Sequence, residues 1–125
     1  MSDAIHEPAR ARLITDGPDP RPVPVVLGYD PGAPRTVRIR FPGGIEWAVD
    51  RDALEGGLRS PVTSGDIRVW PCGRVQLIVE LHSPEGVAVL QFDSAPVIRF
   101  LRRTHEEAGA DGGTRPAPGP SAVRA

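Results

Sequence analysis

The chain has a single cysteine, Cys72, and an intracellular thiolate beside a histidine can act as a nucleophile. It stands in Pro71-Cys72-Gly73, between two runs of alternating apolar and polar residues. Proline presets the backbone for a turn and glycine accepts the positive φ that closes one, so the pattern predicts an exposed hairpin turn. No helix start adjoins the thiol to favour its ionised form. The sequence therefore predicts no catalytic role for Cys72.

The three histidines do not form a hydrolytic or metal-binding set with their neighbours. His82 precedes Ser83 and Glu85, but catalytic groups converge from separate elements, and Ser-Pro-Glu-Gly is explained as a turn. His105 lies on the predicted solvent side of the last helix. Three acids fall in proline-rich loops without the ligand spacing of zinc or calcium sites: Asp16, Asp19 and Asp30. We expect no catalytic residue, no metal and no cofactor.

Two glycine pairs, Gly43-Gly44 and Gly56-Gly57, could be mistaken for parts of a phosphate-binding loop. Neither is followed by a helix start carrying Lys and Ser or Thr, which such a loop requires. The glycine fingerprint of dinucleotide-binding proteins does not appear either. With no acid, base, nucleophile or metal set in the sequence, we expect a protein that is not an enzyme.

A surface of arginine and tryptophan is the candidate binding site. Alternation in two predicted strands places Arg38, Arg40, Arg68 and Trp70 on the polar side of the sheet. Arginine and aromatic side chains are favoured anchors of protein interfaces, and they can also stack nucleic-acid bases. A solvated sheet face with cross-strand Arg-Asp and Arg-Glu pairs is the alternative interpretation. We take these four residues as the candidate partner-binding surface.

The composition limits the kinds of partner and the cellular compartment that we expect. The formal net charge of −1 gives no basic excess for a nucleic-acid backbone, so nucleic acid is the less favoured partner. All 15 basic residues are Arg, which is typical of a GC-rich genome. No apolar stretch approaches the roughly 20 residues that span a membrane, and the N-terminus lacks the apolar segment of a secretory signal. We expect a cytoplasmic protein without membrane insertion.

Turn signals and alternation predict the elements that position these residues. Three Pro-x-Gly segments, beginning at Pro42, Pro71 and Pro84, each separate two alternating runs and predict hairpins. Further strands are expected from Arg10 to Ile14 and from Val23 to Tyr29, which makes about seven antiparallel strands. One predicted apolar row consists of Val75, Leu77, Val79 and Leu81. A sheet this small leaves apolar surface uncovered, and this favours a homo-oligomer.

Two helices complete a predicted α+β domain. Asp50 can cap a short helix after the fourth strand, and a C-terminal helix is expected from Asp93 or Ser94 with Pro96 in its first turn. The buried stripe of that helix is Val97, Phe100 and Leu101, with Thr104 as a further candidate.

The domain boundaries follow from composition. One domain is expected over residues 9–108, after a flexible N-terminus at residues 1–8. From residue 109 to residue 125 the chain is rich in Pro and Gly and cannot bury enough area to offset the entropy of ordering. This tail is predicted to be disordered.

Four segments of the chain resemble the SsgA-like proteins of sporulating actinomycetes. They are "VPVVLGYDPGAPRTVRIRF", "IEWAVDRDALEGGLRSPVTSGDIRVWP", "IVELHSPEGVAVL" and "FLRRT", in order from about Leu13 to Thr104. The elements that carry the resemblance are Tyr29-Asp30, Trp47, Arg51-Asp52, Gly57-Leu58, Gly65-Asp66, Arg68-Val69-Trp70-Pro71 and Ser83-Pro84-Glu85-Gly86. The use of Arg for every basic residue, which is typical of a GC-rich genome, agrees with this resemblance.

The resemblance implies a non-enzymatic role in sporulation-specific cell division. Its founding cell-division member binds the tubulin-like protein FtsZ and brings it to future septum sites, and others act in septum or spore-wall maturation. It also implies a bell-shaped homotrimer similar to the Whirly proteins, which bind single-stranded DNA. We expect a scaffold or adaptor for FtsZ or related SsgA-like proteins, located at division septa. A single-stranded nucleic-acid-binding module is the alternative.

Overall fold

Eight antiparallel strands and two helices make up the part of the chain that the computed structural model describes, residues 4–113, with side chains described for residues 4–107. The elements are β1 Ile5–Ile14, β2 Arg21–Tyr29, β3 Thr36–Phe41, β4 Ile45–Asp50, α1 Arg51–Gly56, β5 Val62–Ser64, β6 Ile67–Cys72, β7 Gln76–Ser83, β8 Gly86–Asp93 and α2 Ser94–Gly113. The predicted α+β class, with a short helix after the fourth strand and a C-terminal helix, is confirmed.

The strands form one sheet in the order β4-β3-β2-β1-β8-β7-β6-β5. Near its middle, β1 pairs with β2 from Ile5 to Leu13 but with β8 only from Ala11 to Ile14. The chain leaves the sheet after Asp93 and starts α2, so β8 cannot follow β1 any further. The earlier part of β1 therefore has a strand neighbour on one side only.

The prediction of a flexible N-terminus over residues 1–8 is wrong from residue 5 onwards. Ile5 pairs with Tyr29 and is only 2% exposed, so hydrogen bonding and burial of an apolar side chain both hold this segment in β1. The sequence signal was weak because Glu7 interrupts the row of inward apolar residues. Residues 1–3 lie outside the described residues.

The predicted boundary between domain and tail also moves. Helix α2 continues through the expected end of the domain at residue 108 to Gly113, because each residue added to an established helix gains a hydrogen bond. Residues 114–125, the rest of the tail predicted to be disordered, lie outside the described residues.

All three predicted Pro-x-Gly hairpins are present, between β3 and β4, β6 and β7, and β7 and β8. Gly43 and Gly44 have φ of 86° and 80°, values that only glycine adopts readily. The second hairpin differs in detail: β6 continues through Cys72, so residues 73–75 form the connection rather than Pro71 to Gly73. Val75, the predicted first member of the apolar row, lies in this connection and is 70% exposed.

A single hydrophobic core lies on one face of the sheet, and α2 packs over it. The predicted helix stripe is confirmed, because Val97, Phe100 and Leu101 are buried and the Thr104 hydroxyl donates to the carbonyl of Leu101 at 2.7 Å. The strands contribute alternate residues, as predicted. The fully buried strand side chains with the largest volumes are Tyr29, Phe92, Leu27, Ile39, Leu77, Leu90, Val37, Val69 and Val79.

The sheet curves around this core. Trp47 on β4 and Leu81 on β7 line the same cleft of about 290 Å³, together with Leu13 and Leu90. In a flat sheet, β4 and β7 would be separated by five strand steps of about 4.8 Å, or roughly 24 Å. The two ends of the sheet must therefore bend toward each other on the core side.

Helix α1 is fixed by its cap and by one very close contact. The carboxylate of Asp50 accepts from the backbone N–H of Asp52, as the sequence predicts. At the other end of α1, a Cβ built on Gly57 would lie 2.2 Å from Cγ1 of Val69, and Val69 is fully buried in β6. Glycine at residue 57 thus allows α1 to lie directly against β6. The eighth strand, β5, follows this contact and was not predicted, since it is only three residues long.

We predict that Gly57→Ala lowers the free energy of unfolding by about 1–3 kcal/mol, because the added methyl overpacks the site. The φ of Gly57 is −65°, which alanine adopts readily, so the loss comes from the clash with Val69 and outweighs any gain in chain entropy. Urea unfolding monitored by circular dichroism measures it.

Gly17→Ala is the matched control, since a Cβ at residue 17 has only an ordinary contact of 3.5 Å with Thr15 Oγ1. Its free energy of unfolding should change by less than about 0.5 kcal/mol. Equal effects of the two substitutions would show that the approach of α1 to β6 is not the cause.

Candidate functional site

The four predicted surface residues all lie on the outer face, which we define as the side of the sheet opposite the core. Arg38 and Arg40 are on β3, whereas Arg68 and Trp70 are on β6. Strands β3 and β6 are separated by five steps of the sheet, or about 24 Å along it. The structure therefore brings these residues together as two pairs and does not form one continuous patch.

The pair on β3 shares one carboxylate of β4. Arg40 donates to Glu46 at 2.7 Å, and Arg38 donates to the other oxygen of Glu46 at 3.4 Å. The hydrogen bond from Arg40, followed by the charges of Arg40 and Arg38, lowers the pKa of Glu46 from its usual 4.5 and outweighs the opposing effect of desolvation. This end of the outer face thus carries two cations and one anion in contact.

The pair on β6 is held together by a cation–π contact. The guanidinium of Arg68 lies over the ring of Trp70, 5.4 Å from its centroid. Trp70 is paired across the strands with Ile78, which is only 7% exposed although it lies on the outer face. Glu80 of β7 is paired with Arg68 across the strands, and its carboxylate lies 2.7 Å from Nε2 of His82. Trp70 therefore already has an intramolecular partner.

A polar network that no local sequence pattern indicated crosses β1, β8 and β7. The guanidinium of Arg12 donates to Gln91 at 3.0 Å and to Asp93 at 3.1 Å, and Gln91 donates to Gln76 at 2.7 Å. Arg12 and Asp93 are 81 positions apart, so only the pairing of β1 with β8 brings them into contact. This network neutralises Asp93.

A groove of about 690 Å³ crosses the outer face of β1, β2 and β3, and the start of α2 forms its wall. We call it the proline groove. Its charged lining residues are Arg10, Arg40, Asp93 and Arg99. The other residues that line it are Pro8, Ala9, Pro24, Val25, Val26, Phe41, Pro42 and Pro96. Of the predicted surface residues only Arg40 takes part, and no local pattern links prolines on two strands, a hairpin turn and a helix.

Tyr29 and Arg51, which belong to the segments that carry the family resemblance, meet inside the fold. The Tyr29 side chain is fully buried and its hydroxyl donates to the carbonyl of Pro34 at 3.2 Å. Arg51 lies over the Tyr29 ring, 5.8 Å from the centroid, and donates to its hydroxyl at 3.4 Å. These contacts tie the end of β2 to the start of α1, so both residues have structural roles.

The residues first considered for chemistry have other roles in the structure. Cys72 is exposed at the end of β6, and the Ser83 hydroxyl donates to the carbonyl of Gly86 at 3.3 Å, closing the third hairpin. His105 contacts Glu55 at 2.7 Å, which links the two helices. Across the described side chains, no group of three or more His, Cys, Asp or Glu residues could hold a metal ion. In the same part of the chain, no helix is both long and apolar enough to cross a membrane.

A family model described as "Streptomyces sporulation and cell division protein, SsgA" matches residues 23–112. The chain is 37% identical over 111 residues to sporulation-specific cell division protein SsgB of Streptomyces coelicolor, covering 83% of this chain and 81% of the relative. It is 35% identical over 111 residues to SsgB of Frankia casuarinae, covering 82% and 77%. The crystal structure of an SsgA-like sporulation-specific cell division protein from Thermobifida fusca matches with a TM-score of 0.78 and 30% identity, covering 88% of this chain and 86% of that one.

We predict that Arg40→Gln raises the pKa of Glu46 toward 4.5, because it removes the shortest hydrogen bond to the carboxylate. Arg38→Gln should raise it less, since Arg38 is 3.4 Å away. Carboxyl ¹³C shifts followed by NMR during an acid titration measure both values. Because the folded-state pKa is lowered, the stabilisation by this cluster is present above 4.5 and is lost as the pH falls through the folded-state value. An unchanged pKa of Glu46 in Arg40→Gln would contradict the assignment.

We expect Cys72 to react with a thiol reagent at nearly the same rate in the folded protein as in denaturant, because its side chain is exposed. Cys72→Ser should change the free energy of unfolding by less than about 0.5 kcal/mol. Absorbance of the released thiol product and urea unfolding measure the two quantities. Strong protection of the thiol in the folded protein would show that Cys72 is covered, for example by a second copy of the chain.

Proposed function

The chain belongs to the SsgA family of sporulation and cell division proteins, and from this premise we propose that it is a non-enzymatic regulator of sporulation-specific cell division. We propose that it acts as a scaffold or adaptor for division proteins such as FtsZ, in septum-site selection or in maturation of the septum or spore wall. Its expected location is the cytoplasmic side of division septa. The match over residues 23–112 carries this proposal.

The contacts that hold helix α1 in place support the proposal that this chain shares the class of function of its relatives. The resemblance includes Tyr29, Arg51 and Gly57, and each of these makes a contact on which the placement of α1 depends. These contacts set the position of α1 against the sheet. The function class is therefore transferred with the fold, whereas the partner must be sought on the surface.

Exposed apolar side chains on the outer face support an adaptor role. Ile14 and Val87 are 41% and 56% exposed, and Val89 stands opposite Ile14 in the ladder of β1 and β8. A cluster of exposed apolar residues among polar ones is typical of protein interaction surfaces. The cleft at Trp47 offers a second apolar surface, with Ile45 at its edge 57% exposed. We propose that a homotrimer covers part of this area.

Binding of single-stranded nucleic acid is the less favoured function. Its support is the presence of arginine and tryptophan on one sheet face, where bases can stack. Against it, Arg68 already covers Trp70, and Arg38 and Arg40 share the carboxylate of Glu46. The formal net charge of −1 also provides no general attraction for phosphates. A low-salt fluorescence titration with oligothymidylate checks this, and binding that is lost in Arg68→Ala would favour this function.

We predict that the purified protein sediments with FtsZ polymers assembled with GTP. The double variant Arg40→Ala/Arg68→Ala should lower the bound fraction several-fold, because it removes one exposed cation from each pair of the candidate surface. Arg59→Ala is the matched control, since Arg59 is exposed beside α1 and away from both pairs, and it should bind as the wild type does.

Two results would contradict the proposal at different levels. If the protein stayed entirely in the supernatant and left polymer bundling unchanged, direct recruitment of FtsZ would be wrong. If the protein sedimented but the double variant bound as well as the wild type, the candidate surface would be wrong while the adaptor role stood.

A further inference from the structure

The charge balance of the proline groove is uneven. The acids near it already have partners: Asp93 pairs with Arg12 at 3.1 Å, and Glu46 pairs with Arg40 at 2.7 Å. The guanidinium groups of two other arginines that line the groove, Arg10 and Arg99, form neither a hydrogen bond nor an ion pair with any described residue. The groove therefore has two unneutralised guanidinium groups at its helix side.

Glu7, the acidic residue nearest to Arg10 in the sequence, is also paired with another residue. It lies on β1, three positions before Arg10, but its carboxylate pairs with Arg103 of α2 at 2.9 Å. Arg10 and Arg99 are both exposed, so they are free to turn toward a bound group. Two like charges lining one concavity favour binding of an anion, and guanidinium groups bind carboxylates through paired hydrogen bonds.

The rest of the groove selects for more than a small anion. Strand register places Pro8, Val26 and Arg40 in one row and Arg10 and Pro24 in the next, all on the outer face. The floor next to the cations is thus made of prolyl and valyl side chains. Crossing from β1 to β3 takes about 10 Å, which corresponds to roughly three residues of an extended chain. An extended peptide with acidic and apolar residues in alternation fits these dimensions and chemistry.

We propose that the proline groove is a docking site for an extended acidic segment of a protein partner. Arg10 and Arg99 bind its carboxylates, and an apolar residue of the segment packs on Pro24 and Val26. The inference rests on the proposed adaptor function, for which it supplies the chemistry of the partner. Recognition of acidic motifs by arginine clusters is a recurrent mode of peptide binding.

The test is fluorescence anisotropy with a labelled synthetic peptide of alternating Asp and Val residues, and with the same peptide carrying Asn for Asp. We expect the Asp peptide to bind and the Asn peptide to bind at least tenfold more weakly. Arg10→Gln/Arg99→Gln should weaken binding of the Asp peptide at least tenfold, and rising salt should weaken it further. The control is Arg59→Gln/Arg102→Gln, which makes the same change in net charge at exposed arginines outside this groove and should bind as the wild type does.

Several outcomes would overturn the proposal. Equal binding of the Asp and Asn peptides would exclude recognition of carboxylates, and an equal loss in the control variant would indicate general electrostatic attraction. Tighter binding of oligothymidylate or of phosphatidylglycerol vesicles, dependent on Arg10 and Arg99, would assign the groove to phosphate groups instead. Because this assay contains no FtsZ, the groove and the FtsZ adaptor role can fail independently.

Discussion

The unequal pairing of β1 is the constraint on which the rest of the structure depends. Its first part, from Ile5 to Arg10, has only β2 as a strand neighbour, because β8 ends at Asp93 and the chain turns into α2. A helix in place of a continued strand covers the core with Val97 and Phe100. On the outer face, the same replacement leaves a recess between β1 and the start of α2. The start of α2 is one wall of the proline groove, so the topology that closes the core also creates the concavity where we propose docking.

The close contacts of α1 have a different role from the residues on the outer face. Gly57 permits contact with Val69, while Arg51 joins Tyr29 at the other end of the helix. Both contacts are made to fully buried side chains, Val69 and Tyr29, and substitution of these residues is expected to change stability before it changes binding. The resemblance at Tyr29, Arg51 and Gly57 therefore bears on the fold, whereas Arg68 and Trp70, which also carry it, lie on the outer face.

Arginine content alone is a poor guide to the electrostatics of the outer face. Arg38 and Arg40 share Glu46, and Arg68 covers Trp70, so these residues are already engaged within the protein. The ion pairs with Glu46 cancel one of the two charges on β3, whereas the cation–π contact leaves the charge of Arg68 in place because the indole ring is neutral. Arg10 and Arg99, which line the proline groove without an ion pair to any described residue, are two cations that the residue pattern did not single out. The groove therefore adds two positive charges to those that β3 and β6 present to a partner.

Local signals determined the predictable part of this protein. Pro-x-Gly segments set the three hairpins, Asp50 set the start of α1, and alternation placed Arg38, Arg40, Arg68 and Trp70 on the outer face, because each of these depends on residues close together in the chain. Tertiary structure alone decided the start of β1, the pairing of Arg12 with Asp93 and the separation of the four surface residues into two pairs. These features depend on strand order and on partners as many as 81 positions apart, and no spacing within a local segment encodes them. The groove belongs to the same class, since it is formed where three strands and a helix meet.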